Sequence, residues 1–131
     1  MNSQKGYYFL ASPFKGTKEE KKYRYALSKK IAATFLEHHI SLFAPILYNE
    51  ALIDFFPKIQ LEDRCKLLMP MNTDFLCQSR GMVLLKIEGW NTSSGLQHYF
   101  DICQKNHIPI YDLFPEDLEA QIINLAKTLP Q

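Results

Sequence analysis

The chain is poor in the residues that build covalent or metal-held frames. Its three cysteines, Cys65, Cys77 and Cys103, are odd in number and widely spaced, with no Cys-x-x-Cys pair. That pattern excludes a disulfide framework and leads to the expectation of a reduced, cytoplasmic protein. No His/Cys/Asp/Glu grouping has metal-ligand spacing, and Gly-x-Gly-x-x-Gly, a Walker loop and a nucleophile elbow are all missing. No metal or cofactor is therefore expected. Charge of one sign is also lacking: fifteen Lys+Arg against fourteen Asp+Glu leave +1, which argues against nucleic acid as a partner held by bulk charge. Apolar runs fall far short of the roughly 18 residues a membrane helix needs, so no membrane partner is expected. The opening Met1-Asn2-Ser3-Gln4-Lys5-Gly6 runs straight into a strand-like segment, and no signal peptide is expected.

What is present is ordinary globular material. The 131 residues are 47% hydrophobic, 13% aromatic and 22% charged, enough for one domain over 1–131 and too few for two independent cores. Tyr7-Tyr8-Phe9-Leu10-Ala11 reads as a buried strand ended at Ser12-Pro13. Thr17 with Glu20 is a capping-box pattern that starts a helix running to about His38. Its apolar positions are Tyr23, Ala26, Leu27, Ile31, Thr34 and Phe35, opposite Lys21, Lys22, Lys29 and Lys30. Residues 15–30 total +7 against −2, read as a solvated helix face. Ile40–Ala44 is a second strand closed by Pro45. The middle is less regular: a short helix over Tyr48–Phe56 stops at Pro57, Lys58–Met69 is mixed, and Pro70 suits the first turn of a helix through Cys77. Met82–Ile87 is the clearest buried strand. A helix from about Ser94 to Asn106, a strand over His107–Tyr111 and a helix from Pro115 to about Leu129 complete the series.

Alternating apolar strands and amphipathic crossovers predict an α/β fold: a single-domain, flavodoxin-like or Rossmann-like doubly wound parallel sheet of four to five strands. Ligands of such sheets sit outside the carboxyl ends of the strands, where strand order reverses. The segments there are Ser12–Thr17, Pro45–Asn49, Glu88–Gly95 and Asp112–Pro115. Phe14 reads either as an aromatic lid on the core or as a pocket wall stacking on a flat ligand. Ser93 and Ser94, with the amides that open the next helix, read either as a plain N-cap or as an anion cradle. Trp90 closes a core edge or faces a base. Asp74 is either solvated or turned toward the pocket, where it fixes a ribose hydroxyl or moves a proton. His38, His39, His98 and His107 have no carboxylate partner in the pattern.

The combination Phe9-Leu10-Ala11-Ser12-Pro13-Phe14, Phe43-Ala44-Pro45-Ile46, Asp74-Phe75-Leu76 and Gly89-Trp90-x-x-x-Ser94-Gly95 resembles the nucleoside 2-deoxyribosyltransferase-like superfamily, in its small bacterial and phage branch. The resemblance spans about residues 7 to 113. It implies a flavodoxin-like sheet, a homo-oligomer (dimer or higher), and cleavage of N-glycosidic bonds in nucleosides or nucleotides. It implies Phe9, Ser12, Pro13 and Phe14 as the wall around the base, and Ser94 and Gly95 as the helix start facing the sugar or its phosphate. Asp74 matches an acid of the helix before the third strand. The family's nucleophilic glutamate falls on Tyr99, its aspartate two residues before the glycine falls on Ser93, and a common Cys-Asp pair falls on Ser79-Arg80. An oxocarbenium-like transition state is left without its usual attacking carboxylate. Asp101 points about 200 degrees, and His98 about 100 degrees, away from Tyr99 on a helix.

The resulting expectation has Tyr99 and Asp74 as catalytic residues. Phe9, Ser12, Pro13, Phe14, Glu88, Trp90, Ser93, Ser94 and Gly95 bind the ligand, which is a small-molecule nucleoside, nucleotide or sugar phosphate. The protein is read as a nucleotide-type binder related to N-deoxyribosyltransferases and nucleotide N-glycosidases, with weak or altered hydrolysis. The alternatives are a catalytically inactive binding module and an interaction scaffold. An apolar stretch with Ile53, Phe55, Phe56 and Ile59 is the expected subunit contact.

Overall fold

The computed structural model describes residues 6–52, 55 and 61–129, with side chains in the third helix from residue 66 onward. In chain order the elements are β1 (Tyr8–Ala11), α1 (Lys18–Glu37), β2 (Leu42–Phe43), α2 (Pro45–Leu52), α3 (Leu61–Cys77), β3 (Met82–Leu85), α4 (Ser94–Asn106), β4 (Ile110–Leu113) and α5 (Leu118–Thr128). The four strands form one parallel sheet in the order β2-β1-β3-β4. The fold is the expected α/β, doubly wound arrangement, and strand order reverses between β1 and β3.

The two central strands are apolar throughout because both their faces are covered. Tyr8 and Leu10 of β1, with Val83 and Leu85 of β3, join Ile31 and Phe35 of α1 and Leu118, Ile122 and Ala126 of α5. Phe9 and Ala11, with Met82 and Leu84, face the other way, onto Leu76 of α3 and Leu96, Tyr99 and Cys103 of α4. Each fully buried Leu, Ile or Phe side chain contributes about 1.5–3 kcal/mol through the water it sheds. These two clusters hold the sheet between its helix layers.

Several boundaries fall elsewhere than the sequence pattern predicts. The capping box forms as expected: the Glu20 amide donates to Thr17 Oγ1 at 3.1 Å and the Thr17 amide to Glu20 Oε1 at 2.9 Å. The inward face of α1, however, is Arg24, Ser28, Ile31 and Phe35, while Tyr23 and Ala26 point to solvent. A charged residue lies inside because backbone carbonyls of two loops receive its guanidinium. Pro45 both ends the second strand and opens α2, where its missing N–H costs nothing. α3 begins at Leu61, so Pro70 lies within it and not at its start. Pro70 is exposed, so the Lys66 carbonyl it fails to meet is on a face that water reaches. β4 starts at Ile110, three residues later than predicted. His107 is still in a left-handed α4 cap (φ 56°), and the Pro109 carbonyl supplies the first bond, to the Met82 amide at 2.9 Å. α5 likewise starts only at Leu118, after the left-handed Asp117 (φ 53°). Ile53, Phe56 and Ile59 lie outside the described residues, and Phe55 is 79% exposed.

Candidate functional site

A cavity of about 400 Å³ opens at the carboxyl ends of β1 and β3, where the strand order reverses. Its size lies within the range of sites for small organic ligands. The end of β1 and the following loop supply Leu10, Ala11, Ser12, Phe14 and Lys15. Pro45, Ile46 and Asn49 come from α2, and Lys66, Leu68, Met69 and Asn72 from α3. The remaining wall is Ser93 with the first turns of α4: Ser94, Gly95, Leu96 and Tyr99. Among the described residues that line it, none is acidic.

The polar end is built from a helix start. Ser93 is the N-cap of α4: its Oγ accepts from the Leu96 amide at 3.2 Å, and its carbonyl accepts from the Gln97 amide at 3.0 Å. The amides of Ser94 and Gly95 precede any intrahelical carbonyl they could reach, so they carry the positive end of the helix dipole. Lys15 and Lys66 add two cations to the same cavity. Nothing negative among the described lining residues offsets them. The field of this end favours an anion.

Arg24 holds the two principal loops together. One nitrogen of its guanidinium donates to the Lys15 carbonyl and the other to the Glu88 carbonyl, the latter at 3.0 Å, while Glu20 Oε2 stands 3.7 Å away. The loop after β1 and the loop after β3 are thus tied through one side chain. Gly89 fits this arrangement: its φ is +94°, and a Cβ there would stand 3.2 Å from the guanidinium.

The residues expected from the sequence separate into three groups. Ser12, Phe14, Ser93, Ser94, Gly95 and Tyr99 line the cavity together. Phe9 and Pro13 are buried behind it; the Phe9 ring meets that of Tyr99 edge-on at 5.0 Å between centroids, so it supports the wall without forming it. Asp74, Glu88 and Trp90 do not line it. Asp74 is exposed on α3, about 200 degrees around the helix from Asn72. Glu88 is exposed and contributes its carbonyl to Arg24. The Trp90 ring packs at the edge of the α3–α4 core with the Lys86 ammonium 4.6 Å from its centroid. That ammonium also pairs with Asp112 at 3.0 Å. His98, next to Tyr99, is exposed, and its Nε2 hydrogen-bonds Thr73 Oγ1 at 3.1 Å.

Sequence reasoning missed Asn72 and Lys66 as lining residues, and it named the strand-end segments that hold Lys15 and Asn49 without singling out either. The two asparagines had a signal. Asn72 falls four residues after Leu68 and four before Leu76, in the inward stripe of α3; Asn49 follows Ile46 by three on α2. A polar side chain in an apolar stripe needs a partner. Asn72 is 3% exposed, and the Oδ1 atoms of both asparagines are buried with no hydrogen-bond partner. Of the cysteines, Cys103 is buried on α4, and burial pushes its thiol up to about 11, with the Cys77 charge a lesser contribution; it packs against Met82 as an apolar group. Among the described residues no group of three or more His, Cys, Asp or Glu is placed to hold a metal ion, and no helix is long and apolar enough to cross a membrane. Neither known protein families nor curated proteins match this sequence.

Proposed function

We propose that the protein binds a nucleotide-type small molecule, a nucleoside monophosphate or sugar phosphate, in the cavity at the carboxyl ends of β1 and β3. The observation that carries this reading is the make-up of one cavity: a positive helix start and two lysines at its walls, apolar Phe14, Pro45, Ile46, Leu68 and Met69 beside them, and no acid among its described lining residues. The phosphate lies on the Ser94 and Gly95 amides, and the flat part of the ligand on the apolar wall.

The resemblance to nucleoside 2-deoxyribosyltransferases supports the same ligand class and raises the question of cleavage. Glycosidic hydrolysis uses a carboxylate pair around the anomeric carbon. Tyr99 stands at the position of the family's attacking acid, and Asp74 is exposed outside the cavity. The reading is accordingly binding with weak or altered hydrolysis. A homo-oligomer in the cytoplasm completes the proposal, supported by the exposed Phe55 and by the free thiols of Cys77 and Cys103.

The test is a titration of the protein with nucleoside 5′-monophosphates, the parent nucleosides and ribose 5-phosphate, followed calorimetrically and by thermal unfolding. Phosphate-bearing ligands are expected to bind; one present at 100 times its dissociation constant adds about 2.7 kcal/mol of stability. Equal affinity for nucleosides and their monophosphates, or no binding of either, overturns the proposal. Chromatography of the same mixtures reads released base. Little or none is expected from the natural protein, with a gain in Tyr99→Glu if the sugar lies beside that position.

A further inference from the structure

Arg24 reaches two loops of the cavity through the same kind of peptide. Its Nη1 donates to the Lys15 carbonyl and its Nη2 to the Glu88 carbonyl, the latter at 3.0 Å. Each carbonyl belongs to a peptide whose next residue is glycine, Gly16 in one loop and Gly89 in the other. A Cβ on Gly16 would stand 3.0 Å from Nη1, and one on Gly89 3.2 Å from Nη2, so each loop approaches the guanidinium where it has no side chain. Arg24 itself is buried and does not line the cavity. What the two loops carry is the anion end of the site. Lys15 lines the cavity from the first. The second is held in turns, from the Trp90 amide to the Ile87 carbonyl at 3.1 Å and from the Thr92 amide to the Gly89 carbonyl at 3.3 Å, and it leads into Ser93, Ser94 and Gly95. The apolar residues Pro45, Ile46, Leu68 and Met69 lie instead on α2 and α3, where Arg24 makes no hydrogen bond among the described residues.

We infer that Arg24 is a positioning residue for phosphate: without touching the ligand, it sets the spacing between the Lys15 loop and the start of α4. This rests on the nucleotide-binding reading above and adds to it a residue outside the cavity. The planar guanidinium presents N–H donors on separate nitrogens in a rigid fork, so one group spans both carbonyls. A lysine ammonium carries the same charge on a single nitrogen and does not reproduce that fork. Loops fixed before the ligand arrives need not be ordered by it, and the ordering cost is taken off the free energy of binding. The tie therefore acts on affinity as well as on stability, and it does so through geometry at constant charge.

The experiment titrates the natural protein, Arg24→Lys and Arg24→Met with AMP, GMP, CMP and UMP by calorimetry, well below the unfolding temperature of each. There every protein is wholly folded, so a residue serving stability alone leaves the dissociation constant where it was. The monophosphate that binds the natural protein most tightly is expected to bind each variant more weakly by about fivefold or more, the net worth of one hydrogen bond. Weakening in Arg24→Lys assigns the effect to the fork, since the charge is kept. A smaller change in either variant overturns the inference and leaves nucleotide binding standing. Failure of all four nucleotides to bind the natural protein removes both readings together. If the variants do not fold, amide hydrogen exchange on the natural protein decides. The bound nucleotide slows exchange in residues 15–17 and 89–95 together, and slowing confined to one of the two loops overturns the inference.

Discussion

Arg24 and Asn72 are buried to nearly the same degree, 4% and 3% exposed, yet the molecule treats them oppositely. The guanidinium of Arg24 is met by two loop carbonyls and a nearby carboxylate. The carboxamide oxygen of Asn72 is met by nothing on the protein. A buried polar group that is answered internally costs little and gains rigidity, whereas one left unanswered lowers stability until something else binds it. The difference is between a buried group whose partners are on the protein and one whose oxygen has none there.

The sharpest way to break that comparison is to remove the answered group. Arg24→Leu leaves the Lys15 and Glu88 carbonyls without their donor and is expected to cost about 2–3 kcal/mol, read as a lowered urea midpoint. Affinity for phosphate ligands should fall with it, since both loops border the cavity. An unchanged midpoint would show that the guanidinium is not structural. The opposite sign is expected for Asn72→Leu, which removes an unmet acceptor: stability unchanged or raised by up to about 1 kcal/mol, measured in the same urea series. A large loss there would mean that Asn72 is architectural after all.

The smallest effect concerns Glu20, which stands beside Arg24. The amide and then the hydroxyl of Thr17 hold its carboxyl below the ordinary glutamate range, with a lesser push from the Arg24 charge. A carboxyl lowered on folding contributes stability that is present above its unfolded value and lost as pH falls through the lowered one. Comparing urea midpoints for the natural protein and Glu20→Gln should show a small deficit in the variant at neutral pH. That deficit should close as the pH falls below the ordinary glutamate range and through the lowered value; one that persists in acid would show that the charge is not responsible.

Much of the architecture is legible in the sequence. β1 and β3 announce themselves as unbroken apolar runs, Thr17 and Glu20 mark a helix start, and the alternation of elements implies the parallel sheet and its ligand end. Those signals are local, and local signals survive folding. The inward placement of Arg24 is not local: it depends on carbonyls nine and sixty-four residues away. The late start of β4 depends on which residue of β3 the Pro109 carbonyl meets. Half of the cavity was similarly legible, because the loops after β1 and β3 must lie at the strand ends. The α3 side was not, since Lys66 and Asn72 line a cavity that other segments complete, and Asp74 is carried outward by two residues of helical rotation.

Pro70 gives this second half of the cavity a mechanical character. Without an N–H at position 70, the Lys66 carbonyl has no rung to hold, and the helix is a bond weaker between the turn bearing Lys66, Leu68 and Met69 and the turn bearing Asn72. Bending of this wall is therefore least opposed at that point of the helix.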